Sequence, residues 1–121
     1  MYYAGTLKNF FNEDIHTMKK FTLFIGLNDK NTFKQEISTK KAISMIVDTV
    51  IANNLSGCTI QQSIGYYLHN NSTNLVIEKS INLIIYTNKT SQIKTLINQL
   101  KTLLNQESII YQVENTTSKV A

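Results

Sequence analysis

Apolar residues recur along this chain with two different periods, and these periods predict the order of its elements. In residues 88–106 they fall at the three- and four-residue spacing of an amphipathic helix. A second stripe of this kind covers residues 38–55, with Ser38 or Thr39 as the N-cap and Gly57 as the stop. Each helix is apolar on one side, so each needs a surface to pack against.

Strict alternation of apolar and polar residues predicts four strands, at residues 20–27, 59–69, 75–87 and 108–114. The polar run HNNSTN joins the second and third strands, which predicts a hairpin. One face of this hairpin is apolar and carries Ile60, Ile64, Tyr66, Leu68, Leu75, Ile77, Ile81, Leu83 and Ile85.

The order β, α, β, β, α, β predicts an α+β, ferredoxin-like fold, with a four-stranded antiparallel sheet and both helices on one face. We expect this domain to span residues 20–114. Residues 1–19 would form an N-terminal arm or short helix, and residues 115–121 a frayed tail.

The face of the sheet opposite the helices is predicted to be open. It would present Phe24, Gly65, Tyr67, His69, Val76, Glu78, Ile84 and Tyr86. Such a face is more apolar than solvent contact alone explains, which predicts pairing with further copies in a homo-oligomer or covering by the arm.

The net charge of +4 suggests an anionic partner, yet all twelve basic residues are lysines. Arginine supplies the planar fork that grips phosphate and guanine, so its absence argues against nucleic acid as a partner. RNA stacking on the open face is a rival interpretation, but LVIEKSINLIIY lacks the basic and paired-aromatic pattern of RNA-binding strands. No apolar run is long enough to span a membrane and no secretion signal is visible, so we expect a bacterial or phage-infected host cytoplasm.

The start of the first helix is a candidate anion site. Ser38, Thr39, Lys40 and Lys41 lie where free backbone N–H groups and the helix dipole favour negative charge, and Lys30 precedes them. A plain N-cap with solvated lysines explains the same residues.

A second candidate site lies on the open face. Gly65 has no side chain and would admit a ligand, although a β-bulge explains it equally well. Tyr67 or Tyr86 would stack on a base, while Glu78 and His69 would form hydrogen bonds.

Catalytic and metal-binding patterns are absent from the sequence. The single Cys58 cannot form an intramolecular disulfide, and no histidine has a carboxylate or cysteine spaced for a metal site or a catalytic triad. We therefore expect no catalytic residue, no metal and no cofactor.

Three short patches resemble a family of small bacterial and phage domains of unknown function. They contain Gly65 with Tyr66, Glu78 with Ser80, and Gln106 to Ser108. The resemblance covers about residues 20–114 and implies the fold more than an activity. For phage members of this size it suggests an anti-defence role.

The leading hypothesis is a non-enzymatic, homo-oligomeric protein that binds a small anionic ligand, such as a nucleotide-derived immune signal that it sequesters. The alternatives are a protein-interaction module that uses the open face, and an enzyme acting on a nucleotide or small metabolite.

Overall fold

The predicted ferredoxin-like fold is confirmed. The computed structural model describes residues 15–69 and 72–119. Its elements are β1 (Ile15–Gly26), α1 (Thr39–Ala52), β2 (Thr59–Leu68), β3 (Leu75–Thr87), α2 (Thr90–Leu103) and β4 (Ile110–Lys119). The strands form one antiparallel sheet in the order β2-β3-β1-β4, so β1 and β3 are central.

The hydrophobic core lies between this sheet and the two helices. Leu23 of β1 pairs with Leu83 of β3 at its centre, and both are fully buried. The apolar stripes of both helices join the same cluster through Ile46 of α1 and Leu96 and Leu100 of α2. Burying each such side chain contributes about 1.5–3 kcal/mol before the cost of ordering it. Both helices therefore cover the same face of the sheet, as predicted.

The helices begin in different ways. Ser38 is the N-cap of α1, and its Oγ accepts a hydrogen bond of 3.2 Å from the N–H of Lys41. The N-cap of α2, Lys89, makes no side-chain cap bond, but its Nζ donates to the carbonyl oxygen of Asn54 at 2.8 Å. Neither helix in the described ranges is long and apolar enough to cross a membrane.

The β2–β3 hairpin extends beyond the helices. At about 3.3 Å per residue, the 13 residues of β3 span roughly 43 Å, whereas the 14 residues of α1 span only about 21 Å. The helix-side residues at the far end of the hairpin are consequently 56–64% exposed. This hairpin apolar surface consists of Ile64, Tyr66, Leu68, Leu75 and Ile77.

β1 begins earlier and β4 ends later than the sequence predicted. Their pairing runs continuously from Ile15 opposite Lys119 to Phe24 opposite Ile110. Residues 115–119, expected to fray, are therefore part of β4, because backbone pairing with β1 needs no apolar side chains. Of the predicted arm, residues 15–19 belong to β1, and residues 1–14 lie outside the described ranges.

Candidate ligand site at the end of the β2–β3 hairpin

Glu78 has a fixed position on the open face of β3. Its Oε2 accepts a hydrogen bond of 2.8 Å from the backbone N–H of Asn28, which follows β1. The carboxylate reaches that N–H by crossing over Gly26, where a Cβ atom would lie 2.5–2.7 Å from the carboxyl atoms. Since a carboxylate has about four lone-pair positions, one bond leaves acceptor capacity for a ligand.

A cavity of about 500 Å³ adjoins the partner of Glu78, because Asn28, whose N–H binds the carboxylate, is one of its lining residues. Its walls come from the loop after β1, from the hairpin and from the connection between α2 and β4. They are formed by residues 28–30, Phe33, Tyr67, His69, Asn74, Val76 and residues 106–108. This volume suits a small molecule of nucleoside size.

Hydrogen bonds hold the loop and the α2–β4 connection together at the base of this cavity. Asn105 Nδ2 donates to Asp29 Oδ1 at 2.8 Å, and Gln106 Nε2 donates to the carbonyl oxygen of Asn28 at 2.8 Å. Each of these bonds joins two residues that are more than 70 positions apart in the sequence. They fix two walls of the cavity before any ligand arrives, which lowers the entropic cost of binding.

Asp29 is the main polar anchor of the loop. Its Oδ2 accepts from the N–H groups of Asn31 and Thr32 at 2.9 and 3.2 Å. The hydrogen bond from Asn105, followed by that from Asn31, lowers the pKa of Asp29 below its usual value. The ionised carboxylate therefore contributes to the shape of the loop.

Tyr67 faces the cavity from β2. It is 44% exposed, and its partner in the register is Val76. The next pair on the same face of the sheet is Gly65 with Glu78. Partial burial, and after it the charge of Glu78, raise the pKa of the Tyr67 hydroxyl. The hydroxyl is therefore protonated at neutral pH and can donate a hydrogen bond to a ligand.

The ionisable side chains give the cavity an acidic balance. Among the residues that the structure describes, Asp29 and Glu107 line it together with one lysine, Lys30, and the Glu78 carboxylate binds the backbone of the lining residue Asn28. Such a site favours ligand hydroxyl or cationic groups over a chain of phosphates.

The predicted site residues separate into two groups. Lys30, Tyr67 and His69 line the cavity, with Glu78 beside it and Gly65 opposite Glu78 in the register. The start of α1 does not line it: Ser38 caps the helix, Thr39 Oγ1 accepts from Gln35, and Lys40 and Lys41 are exposed. A separate anion site at this helix end stays a prediction.

Tyr86 is not brought together with the cavity within one chain. It pairs with Lys20 near the other end of β3, eight residues after Glu78. At about 3.3 Å per residue the separation is roughly 26 Å, too far for one small ligand to touch both side chains.

Sequence reasoning missed Phe33, the asparagines at positions 28 and 74, and Glu107. Asn28 acts through its backbone and Phe33 lies in a polar loop, so nothing in the sequence marks either residue as part of a site. Gln106 to Ser108, including Glu107, line the cavity, but in the sequence they stand out only as a patch of the family resemblance and not as ligand-binding residues.

A larger groove of about 730 Å³ lies between the exposed sides of α1 and α2. Among the described residues, Asp48 is its one ionisable lining residue, and the groove is wide open to solvent. Its other polar lining groups are hydroxyls and amides on two helices, whereas three separate segments close the hairpin cavity, so we consider the hairpin cavity the better ligand site. Within the described ranges, no group of three or more His, Cys, Asp or Glu side chains is arranged to hold a metal ion.

Comparisons with known proteins relate both the sequence and the fold to other proteins. The family described as "Protein of unknown function (DUF3574)" matches residues 20–120. No curated protein sequence matches the chain.

Several solved structures share the fold. A phage SAM lyase in complex with S-methyl-5'-thioadenosine has a TM-score of 0.65 and 17% identity, over 86% of this chain and 89% of the lyase. A nitrogen regulatory PII-like protein from Thiomonas intermedia, bound to ADP, AMP and bicarbonate, has a TM-score of 0.55 and 12% identity, over 88% of this chain and 98% of that protein. CutA from Synechococcus elongatus has a TM-score of 0.58 and 12% identity, over 84% of this chain and 80% of CutA.

Proposed function

The chain belongs to the DUF3574 family of proteins of unknown function, and we propose that it is a self-associating protein that binds an adenosine-type ligand in the hairpin cavity. The observation that carries this proposal is the Glu78 carboxylate, held over Gly26 by the Asn28 N–H beside the cavity. A preorganised carboxylate of this kind is a good acceptor for the two hydroxyls of a ribose.

The comparison structures support an adenine nucleoside as the ligand. The phage lyase is solved with S-methyl-5'-thioadenosine, and the PII-like protein with ADP and AMP. The acidic balance of the cavity favours a neutral or cationic member of this class over a polyphosphate. For this cavity we therefore propose a neutral or cationic nucleoside in place of the anionic ligand expected from net charge alone.

Thermal denaturation with a ligand panel tests the proposal. The panel contains S-methyl-5'-thioadenosine, S-adenosylmethionine, adenosine, ADP and cyclic nucleotides. A ligand present at 100 times its Kd stabilises the folded chain by about 2.7 kcal/mol, which is an easily measured shift in Tm. We expect S-methyl-5'-thioadenosine, S-adenosylmethionine and adenosine to raise Tm most. If none of these three ligands raises Tm, the proposal is overturned.

Glu78→Gln is the matching variant. It keeps an acceptor for the Asn28 N–H but removes the charge that would meet the ligand, so we expect affinity to fall about 10- to 100-fold. Glu114→Gln is the control, because Glu114 lies opposite Lys20 on β4, away from the cavity. An equal loss of affinity in both variants would show that the net charge of the chain, and not this site, determines binding.

We propose further that copies associate through the hairpin apolar surface. Five large apolar side chains on one face of two paired strands are costly to leave in water. A second copy would cover them and could complete the cavity at the same end of the hairpin.

The biological role that fits best is sequestration. A phage protein that holds an adenosine-type signal would need binding groups but no catalytic set, and the phage source of one structural neighbour supports this proposal. The ligand should then be recovered intact after incubation with the protein.

Enzymatic cleavage of S-adenosylmethionine is the second candidate function. The fold shared with a SAM lyase favours it, together with Tyr67 and Glu78, which lie in neighbouring pairs on the same face of the hairpin and offer a proton donor and a proton acceptor. Chromatography after overnight incubation with S-adenosylmethionine separates the two functions. Formation of S-methyl-5'-thioadenosine by the wild-type chain, and not by Glu78→Gln, would establish cleavage.

A further inference from the structure

Phe33 has an unusual backbone conformation at the mouth of the cavity. Its φ angle is 60°, in the left-handed region that a bulky side chain rarely adopts. Its side chain is 66% exposed and lines the cavity. Glycine or asparagine is the usual residue at such a φ, so the backbone at this position presents an aromatic ring to the cavity where a small residue would be expected.

The loop around Phe33 is tightly hydrogen-bonded. The N–H of Phe33 donates to the carbonyl oxygen of Asp29 at 2.8 Å, and the N–H of Asp29 donates to that of Lys34 at 2.7 Å. Asn28 and Gln35 close the loop with a β-bridge. These bonds hold the backbone of Phe33 in the left-handed region, and they thereby fix the point from which its side chain projects.

The contact of Phe33 with His69 also fixes the ring. The two ring centroids are 5.4 Å apart, with an interplanar angle of 67°, which is an edge-to-face arrangement. The high exposure of Phe33 shows that most of its surface remains accessible beside this contact. A flat ligand entering the cavity would therefore find a fixed aromatic surface.

We propose that Phe33 is the residue on which the ligand base stacks, and that it sets the preference of the cavity for a purine. This inference rests on the proposed function and assigns base recognition to the loop after β1. The sequence had assigned it to Tyr67 or Tyr86. Tyr86 is about 26 Å from Glu78 along β3. Tyr67 lines the cavity but is less exposed than Phe33, at 44% against 66%.

Calorimetric titration with S-methyl-5'-thioadenosine and with uridine tests this role. Stacking of a base on an aromatic ring corresponds to about a 5- to 100-fold change in affinity. We expect Phe33→Gly to bind S-methyl-5'-thioadenosine more weakly by this factor and to lose its preference over uridine, which has a smaller ring. Phe33→Tyr should bind as the wild type does.

Two further variants separate stacking from folding. Glycine tolerates a φ of 60°, so Phe33→Gly should keep a wild-type Tm without ligand. Phe33→Leu keeps an apolar side chain without a π face and should also lose the purine preference. Tyr86→Ala, an exposed aromatic outside the cavity, is the control and should bind normally.

The outcomes distinguish this inference from its premise. Wild-type affinity and purine preference in Phe33→Gly and Phe33→Leu would overturn the role of Phe33 alone. A wild-type chain that binds none of these nucleosides would overturn the proposed function and this inference with it.

Discussion

The carboxylate of Glu78 lies where a side chain at position 26 would be, and it fits there because Gly26 has no side chain. The two residues lie on neighbouring central strands, and the carboxylate crosses from β3 to the N–H of Asn28 beyond the end of β1. Gly26 is the last residue of β1, so its missing side chain does not interrupt the strand interior. Here it gives the candidate site its fixed acceptor.

Gly26→Ala should therefore separate binding from stability. The new methyl group would displace the Glu78 carboxyl, which is the flexible end of a side chain, so Tm should fall little. Loss of the Asn28 bond and of the carboxylate position should weaken binding of S-methyl-5'-thioadenosine about tenfold in a calorimetric titration.

Gly65→Ala is the matched control for this variant. A Cβ atom there would make ordinary contact, 3.8 Å from the carbonyl oxygen of Glu78, so Tm should not change. Wild-type affinity in Gly26→Ala would contradict the role given to the Glu78 position.

Ile77→Lys should reduce self-association. Ile77 is 59% exposed in the hairpin apolar surface, and a lysine there would place an unpaired charge in the proposed contact. Sedimentation analysis should show a multiple of the 13.8 kDa chain mass for the wild type and a lower mass for the variant.

Ile51→Lys is the control for the hairpin variant. Ile51 is 64% exposed, but it lies on α1, away from the hairpin. If Ile77→Lys keeps the wild-type mass, the copies do not associate through the hairpin apolar surface.

Asp29→Asn should lose stability in a pH-dependent way. The pKa of Asp29 is lowered in the folded chain, so its ionised form stabilises the fold above the usual value of 3.8. That contribution disappears as the pH falls through the lowered pKa. The difference in Tm between wild type and variant should thus be present at neutral pH and vanish well below 3.8.

Asp48→Asn on the outer side of α1 is the control for this series. A Tm difference for Asp29→Asn that stays constant from neutral pH to strong acid would show that the charge of Asp29 does not act on the loop.

Gln106→Leu should destabilise the fold. Gln106 is 8% exposed and its Nε2 donates to the carbonyl oxygens of Asn28 and Leu104 at 2.8 and 3.1 Å. Leaving these buried acceptors unsatisfied costs about 1–3 kcal/mol, which urea denaturation can measure. Gln61→Leu, on the exposed face of β2, should cost much less; similar losses in both variants would contradict the importance of these bonds.

Periodicity was enough to predict the elements and the layer arrangement. The stripes of α1 and α2 and the alternation in β1 and β3 are set by local geometry, and only one face of the sheet could receive both helices. Charge and residue type also made Glu78, Tyr67 and His69 candidates, and their role in binding stays a prediction.

The relative lengths of the strands and helices decided whether the apolar residues of the hairpin are buried or exposed. The alternation placed Ile64, Tyr66 and Ile77 correctly on the helix side, but whether a helix covers them depends on how far each element reaches. A strand advances about 3.3 Å per residue and a helix only about 1.5 Å, so coverage is a property of the assembled layers.

The sequence by itself determined the βαββαβ order, the shared core of two helices on one sheet, and the side chains able to carry chemistry. Only the tertiary structure decided that Glu78 rests over Gly26 and that Phe33 holds a left-handed backbone at the cavity mouth. It also separated Tyr86 from this site. Local spacing encodes secondary structure, whereas the site depends on strand register and on hydrogen bonds between residues far apart in the chain.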